Sequence, residues 1–169
     1  MPADAAGYVG SDFSRHFYDL RTTVRTLVAE ASKRVILAAP YWDEQVASDL
    51  ADLLERRLRA GVRVAVLARR PQAGTTNERA LAILRAALAD SPGSEVRILE
   101  RASKVDPFGA STFHFKVACA DSRRAYLGSA NFNTAGLNSR WELGVLLGPR
   151  NAGVLAQCLE GLWSAASAQ

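Results

Sequence analysis

His114 and Lys116 stand two positions apart in a short, mostly apolar stretch. The alternation within Phe113–Ala120 predicts a β-strand, and side chains two positions apart on a strand project from the same face. An imidazole in such a pair can act as a nucleophile or a general acid–base, while the ammonium can hold an anionic oxygen. Taken alone, the pair also fits an edge strand with a solvated polar face, because both groups resist burial without partners.

Further polar groups follow along the chain. Gly128 and Ser129 come directly after the strand-like segment Arg124–Leu127, and Asn131 stands two positions farther on. Glycine allows a close backbone approach, and the serine and asparagine side chains supply hydrogen-bond donors. Glu142 precedes the apolar segment Leu143–Leu147 and adds a carboxylate. Together with the histidine and lysine, these groups form a set suited to a phosphate.

The order of these residues resembles a known signature. His114-x-Lys116-x4-Asp121-x6-Gly128-Ser129-x-Asn131 is similar to the HxK(x)4D(x)6GSxxN-type motif of the phospholipase D superfamily. Glu142, 28 positions after the histidine, falls where the small bacterial endonucleases of that family carry their acidic residue. The resemblance covers residues 113–147, and the upstream alternation of strands and helices is compatible with the family's α/β sandwich.

The resemblance implies a metal-independent, two-step phosphodiester cleavage without a cofactor. His114 would attack phosphorus and form a phosphohistidine, with Lys116 and Asn131 neutralising the non-bridging oxygens and Ser129 assisting. Glu142 would hydrogen-bond the histidine and fix its tautomer. For the other two motif residues a structural role is favoured: Asp121 as a turn cap, since it lies in the hairpin-sized turn 121–123, and Gly128 as a point of close approach.

The chain carries one copy of this motif, whereas two-motif members supply both catalytic histidines from one chain. His16, the only other histidine, has no such motif around it and is interpreted as a surface or helix-packing residue. The second histidine would then be His114 of another copy, and a twofold homodimer with a shared site is the economical arrangement.

Composition sets further bounds. The 169 residues, 49% hydrophobic and 22% charged, predict a packed globular domain. Cys119 and Cys158 sit in apolar stretches, where buried free thiols are the expectation, and neither they nor the two histidines have a metal-ligand spacing. The N-terminus has no secretory pattern and no apolar run approaches 18 residues, so a cytoplasmic protein is expected.

The periodicity predicts an irregular lead over residues 1–10 and one catalytic domain over 11–169. Three rounds of helix and strand precede a polar loop, Arg101–Thr112, and then come three strand-like segments and an amphipathic helix containing Val154, Leu155, Cys158, Leu159, Leu162 and Trp163. This order predicts an α/β fold with a mixed, largely parallel sheet flanked by helices.

The substrate is left open between nucleic acid and lipid. A net charge of +4, with all but three of the basic residues being arginine, favours DNA or RNA and therefore a nuclease. The candidate contacts are Arg69, Arg70, Arg101, Lys104, Arg123, Arg124 and Arg140, although a solvated basic face would look the same. The alternatives are a phospholipase or phosphatidyl transferase, and a non-catalytic nucleic-acid-binding or scaffold protein. The segment after Asn131 also resembles phospholipase D-like proteins of anti-phage defence operons, which suggests defence-operon partners.

Overall fold

The computed structural model describes residues 18–101 and 111–168. Three helices and three strands alternate in the first part of the chain: α1 (Leu20–Glu30), β1 (Arg34–Ala39), α2 (Glu44–Arg59), β2 (Arg63–Ala68), α3 (Thr76–Leu88) and β3 (Glu95–Ile98). The predicted elements of this half are thereby confirmed. Asp19, Asp43 and Thr75 cap the three helices, each accepting a hydrogen bond from a backbone N–H in the first turn.

The second half contributes mainly antiparallel strands. Its elements are β4 (Glu100–Arg101), β5 (Ser111–Thr112), β6 (Lys116–Ala120), β7 (Arg124–Gly128), a π-helical turn (Ala135–Ser139), β8 (Gly144–Leu147), α4 (Pro149–Ala165) and β9 (Ser167–Ala168). The ends of the predicted loop Arg101–Thr112 pair as the small ladder β4–β5, and the interior of that loop lies outside the described residues.

Seven strands form the main sheet in the order β8-β7-β6-β1-β2-β3-β9. Only β1–β2 and β2–β3 are parallel, while the four other pairs are antiparallel. The predicted mixed α/β sheet is therefore confirmed, but its largely parallel character is confined to β1–β3. The β6–β7 hairpin accounts for part of the difference, because a short turn can join only antiparallel neighbours.

Two apolar cores lie on opposite faces of the sheet. One face packs against α1, α2 and α3, and the other packs against α4. Helix α4 approaches closely through the small side chains Ala152 and Ala156 together with Leu159. Val154 is instead 65% exposed and Cys158 is exposed, which corrects their predicted place on the packed face. The alanine stripe determines which face of the helix meets the sheet, whereas Cys119 on β6 is buried as expected.

Strand β6 begins at Lys116 and not, as predicted, at Phe113. In the register of the sheet, Lys116 lies opposite Gly128 of β7, and Val117 lies opposite Ala38 of β1. β1 ends one residue later and continues into Pro40, which has no N–H to donate. The sheet ladder therefore stops at Lys116, and residues 113–115 leave the sheet.

Candidate active site

The predicted pair is formed at the edge where β6 begins. The ammonium nitrogen of Lys116 lies 3.2 Å from Nδ1 and 3.3 Å from Nε2 of His114, and it donates to the histidine carbonyl at 3.0 Å. Lys116 is 1% exposed, whereas His114 is exposed. Because His114 precedes the strand, it is the contact with the lysine that places its ring, and not strand alternation.

Burial is the main influence on the charge of Lys116. It lowers the pKa of the ammonium, because removing water disfavours the charged form, and the Glu142 carboxylate opposes this effect. The lysine is therefore a shielded cation beside an exposed imidazole. Such a pair can offer a nitrogen nucleophile to solvent next to a fixed donor for an anionic oxygen.

Ser129 and Glu142 form a second pair. The serine hydroxyl donates to Oε2 of Glu142 at 2.5 Å and contacts the Leu143 carbonyl at 3.2 Å, and it accepts from the Leu143 N–H at 3.1 Å. In the described part of the chain, Glu142 makes no hydrogen bond to His114. Ser129, predicted to bind phosphate, thus holds the carboxylate, and the predicted Glu142–His114 contact is absent within one chain.

Asn131 lies on the loop that follows β7. Its side-chain oxygen is buried and has no hydrogen-bond partner among the described residues. The loop is anchored to the end of β1: the Asp43 N–H donates to the Phe132 carbonyl at 3.2 Å, and the Thr134 N–H donates to the Asp43 carboxylate at 2.6 Å. Trp42 adds an edge-to-face contact with Phe132, at 4.7 Å between ring centroids. These anchors place the loop at the edge that carries Lys116.

Gly128 and Gly144 make room for a buried tyrosine. They face each other across β7 and β8, and a Cβ atom at either would lie 2.3 Å from the side chain of Tyr126. Burial raises the pKa of this tyrosine, and Glu142 adds to the effect. The sequence reasoning missed Trp42, Asp43 and Tyr126; two glycines at the ends of paired strand-like segments were the available signal for the tyrosine.

Asp121 lies at the other end of β6, five residues or about 16 Å from Lys116. It occupies a turn with positive φ at Asp121 and Ser122, the geometry of a tight hairpin. Its carboxylate accepts hydrogen bonds from the backbone N–H groups of Ser32, Lys33 and Arg34 and from the Ser32 hydroxyl, at 2.7–2.8 Å. Asp121 thus connects the turn to the start of β1 and is remote from the candidate site.

The predicted basic contacts fall into separate groups. Arg69 and Arg70 follow β2 at the edge that carries Lys116, and the exposed Arg140 precedes Glu142. Arg123 and Arg124 lie beside Asp121 at the opposite end of the sheet, where Arg124 pairs with Glu30, so their predicted place at the site is wrong. Lys104, His16 and the side chain of Arg101 lie outside the described residues.

The family model for the cardiolipin synthase, phospholipase D-like domain matches residues 24–163. The chain belongs to the phospholipase D-like family. No match was found among the curated proteins. Membership of this family places the chain among phosphodiester-processing hydrolases, and the matched range spans every predicted motif residue.

Solved structures share the fold of this phospholipase D-like chain. Nuc from Salmonella typhimurium, a phospholipase D family member, is 20% identical with a TM-score of 0.68, over 88% of this chain and 90% of its own. NucT from Helicobacter pylori is 16% identical with a TM-score of 0.70, over 95% of both chains. TrmBL2, an archaeal chromatin protein with a novel mode of DNA binding, is 16% identical with a TM-score of 0.62, over 89% of this chain and 50% of its own.

In the part of the chain that the structure describes, no three His, Cys, Asp or Glu side chains are grouped closely enough to hold a metal ion. No helix of that part is long and apolar enough to cross a membrane. The polar groups at the site edge are instead an imidazole, an ammonium, a carboxamide and a hydroxyl–carboxylate pair. This set can bind a phosphate diester and supply a nitrogen nucleophile.

Proposed function

We propose that the chain is a metal-independent nuclease that cleaves DNA or RNA through a phosphohistidine. The observation that carries the proposal is the contact between the exposed His114 ring and the buried Lys116 ammonium. A cation held in a shielded place needs no reorganisation when charge develops on a phosphate oxygen. The neighbouring imidazole is open to a substrate that arrives from solvent.

The proposed reaction has two steps, formation of the phosphohistidine and its hydrolysis. A ring nitrogen of His114 attacks phosphorus, the bond to the leaving oxygen breaks, and a second histidine gives that oxygen a proton. Water then attacks phosphorus, the P–N bond breaks, and the second histidine takes the proton from the water. Lys116 and Asn131 bind the non-bridging oxygens throughout both steps, and Ser129 fixes the Glu142 carboxylate.

A second copy of this chain is the proposed source of the second histidine. Support comes from the segment around Glu142, where the site adjoins the outer strand of the sheet. Trp141 is 54%, Leu143 72% and Val145 53% exposed, so an apolar surface continues directly from the site. Contiguous exposed apolar side chains of this kind mark contact surfaces.

The direction of the strands restricts how two copies can meet. If the two β8 strands paired antiparallel, the two copies of the site would lie at opposite ends of one extended sheet. A twofold axis that runs roughly along the strands and passes close to His114 would instead bring both site edges side by side at the same end of the dimer. Trp141 and Leu143, which flank Glu142, are suitably placed for that contact.

Nucleic acid is preferred over lipid because of the charge of the chain and the place of its arginines. The net charge is +4, and Arg69, Arg70 and Arg140 lie at or near the site edge. One structure with this fold, TrmBL2, is described as binding DNA. The description of the family model, cardiolipin synthase, favours the lipid alternative and makes a direct comparison necessary.

The test compares wild type with His114→Ala on labelled DNA, labelled RNA and phospholipid vesicles. The proposal predicts cleavage of nucleic acid by wild type only. Turnover of phospholipid without nucleic-acid cleavage would instead make the chain a lipid enzyme. Binding of nucleic acid without cleavage by either protein would support a non-catalytic binder. A cytoplasmic location and a role with defence-operon partners stay predictions, and phage plating with and without the His114→Ala variant would test the second.

A further inference from the structure

A polar cavity opens on the same sheet edge as the candidate site. It has a volume of about 290 Å³ and is lined by Tyr41, Arg69, Arg70, Gln72, Thr75 and Asn77. The paired ends of β1 and β2, Ala39 and Ala68, place Tyr41 and Arg69 side by side just beyond the sheet. Because neighbouring strands lie about 4.8 Å apart, Arg69 is two strands or about 10 Å from Lys116.

Arg69 and Tyr41 form a fixed pair at the mouth of this cavity. The Arg69 Nη1 donates to the tyrosine hydroxyl at 2.7 Å, and the guanidinium carbon lies 5.7 Å from the ring centroid. Tyr41 is 41% exposed, although it directly follows a buried strand and the proline that ends it. An arginine offers five N–H donors in a planar fork suited to phosphate, and only one of them is required by the tyrosine.

Two acidic side chains in the first turns of α2 and α3 are already engaged. Glu44 pairs with Arg79, and Oε2 of Glu78 accepts a hydrogen bond from the Gly74 N–H at 2.7 Å. Neither carboxylate lines the cavity, whereas Arg69 and Arg70 do. Arg69 therefore places positive charge next to an accessible aromatic ring, and this combination is typical of sites that bind single strands of nucleic acid.

We propose that this cavity is a second subsite, which binds the nucleotide next to the scissile phosphate. Arg69 holds the phosphate of that nucleotide, and the ring of Tyr41 receives its base. A base can reach the ring only when it has left a duplex stack, so the subsite favours an unpaired strand. The inference rests on the proposed nuclease function, since a phospholipid has neither a base nor a neighbouring nucleotide.

The test compares a substrate that can occupy the subsite with one that cannot. One is a labelled single-stranded oligonucleotide, and the other is bis(4-nitrophenyl) phosphate, a phosphodiester without a neighbouring nucleotide. Arg69→Gln and Tyr41→Ala should lower the ratio of kcat/KM for the oligonucleotide to that for the small diester at least about fivefold. Tyr41→Phe, which keeps the ring, should lower it less. Arg123→Gln, an exposed arginine at the far end of the sheet, is the matched control.

A duplex of the same sequence is tested as a third substrate. Arg69→Gln and Tyr41→Ala should lower cleavage of the duplex less than cleavage of the single strand. An unchanged ratio in Arg69→Gln and Tyr41→Ala, or equal losses on both substrates, would overturn the subsite. A different outcome is that wild type cleaves the small diester but does not cleave any oligonucleotide. In that case the nuclease proposal itself falls, and the subsite falls with it.

Discussion

The ammonium of Lys116 lies 3.2 Å from a ring nitrogen of His114, and it is shielded from water while the ring is not. A buried cation costs free energy, and among the described residues no carboxylate is in direct contact with this one. This unfavourable free energy is explained if the buried lysine is positioned to bind an anionic substrate. Stability and activity should therefore respond in opposite directions when the charge is removed.

Lys116→Met should lower turnover strongly and leave the melting temperature equal or higher. Removal of one preorganised donor to a developing oxyanion costs about 10²–10³ in turnover, and a neutral side chain avoids the burial penalty. Thermal melting and turnover, measured on the same preparations, check both effects. Lys33→Met, at an exposed lysine, is the control and should change neither. A strongly destabilised Lys116→Met protein would mean that the ammonium supports the fold.

Glu142→Gln should lower turnover at least about tenfold with little change in stability. A carboxamide can accept a hydrogen bond, but it cannot offset positive charge on the neighbouring Lys116; loss of the aspartate in the serine protease triad costs about 10⁴. Ser129→Ala should also lower turnover, because the carboxylate loses its hydroxyl partner.

A double-mutant cycle separates these two residues. If Ser129 acts through Glu142, then Glu142→Gln should have little further effect in the Ser129→Ala background. If the two substitutions lower turnover independently, so that their effects multiply, Ser129 would instead be inferred to bind the phosphate directly. Initial rates for the four proteins at saturating substrate are sufficient for this comparison.

Asp121→Asn should reduce stability near neutral pH by about 1–3 kcal/mol and leave turnover unchanged. Burial raises the pKa of Asp121, but the hydrogen bonds from Arg34, Ser32 and Lys33 outweigh it and leave the pKa lowered. A lowered folded-state pKa means that this stabilisation is present above the unfolded value of about 3.9 and is lost as the pH falls through the folded value.

Urea unfolding between pH 3 and pH 7 measures this effect. The difference between wild type and Asp121→Asn should shrink as the solution becomes acidic, while Asp90→Asn, at an exposed aspartate, should show no such trend. A loss of turnover in a stably folded Asp121→Asn protein would show that the residue has a catalytic role despite its distance from Lys116.

Cleavage should survive chelation. The groups assembled at the site edge are a nitrogen nucleophile and fixed cationic or amide donors, and the proposed steps need no metal-bound water. Rates in excess EDTA should match those in untreated buffer within about twofold. Activity that disappears in EDTA and returns on addition of magnesium would contradict the histidine mechanism.

Mixing wild type with excess His114→Ala should suppress activity under conditions of subunit exchange. A mixed dimer holds one His114, so it can supply the nucleophile or the acid but not both. The decline should follow the fraction of wild-type pairs and not the amount of wild-type chain. Leu143→Asp, which charges the exposed surface next to Glu142, should weaken the dimer and activity together in light scattering and rate measurements. If subunit exchange is demonstrated and activity still stays proportional to the amount of wild-type chain, each chain works alone.

The sequence by itself determined the local elements and the set of reactive groups. Apolar periodicity predicted α1 to α3 and β1 to β3, because helical and strand spacings are properties of contiguous residues. The motif spacing placed His114 and Lys116 on one strand-like segment and Gly128 directly after the next, and a hairpin must bring two such segments together, although the first strand begins only at Lys116. The α/β class followed from the periodicity, and the family was indicated by the resemblance of the motif.

The tertiary structure decided which groups meet. Ser129 contacts Glu142, Asp121 contacts residues 32–34, and Tyr41 meets Arg69, each across an interval that local spacing does not encode. Sheet order explains these contacts, since β6 lies between β1 and β7 and the parallel strands end at one edge. For the same reason Arg123 and Arg124 lie far from the site, although the sequence places them near its residues. Long-range pairing is a property of the whole packed chain, so short-range pattern could predict the parts of the site but not all of its contacts.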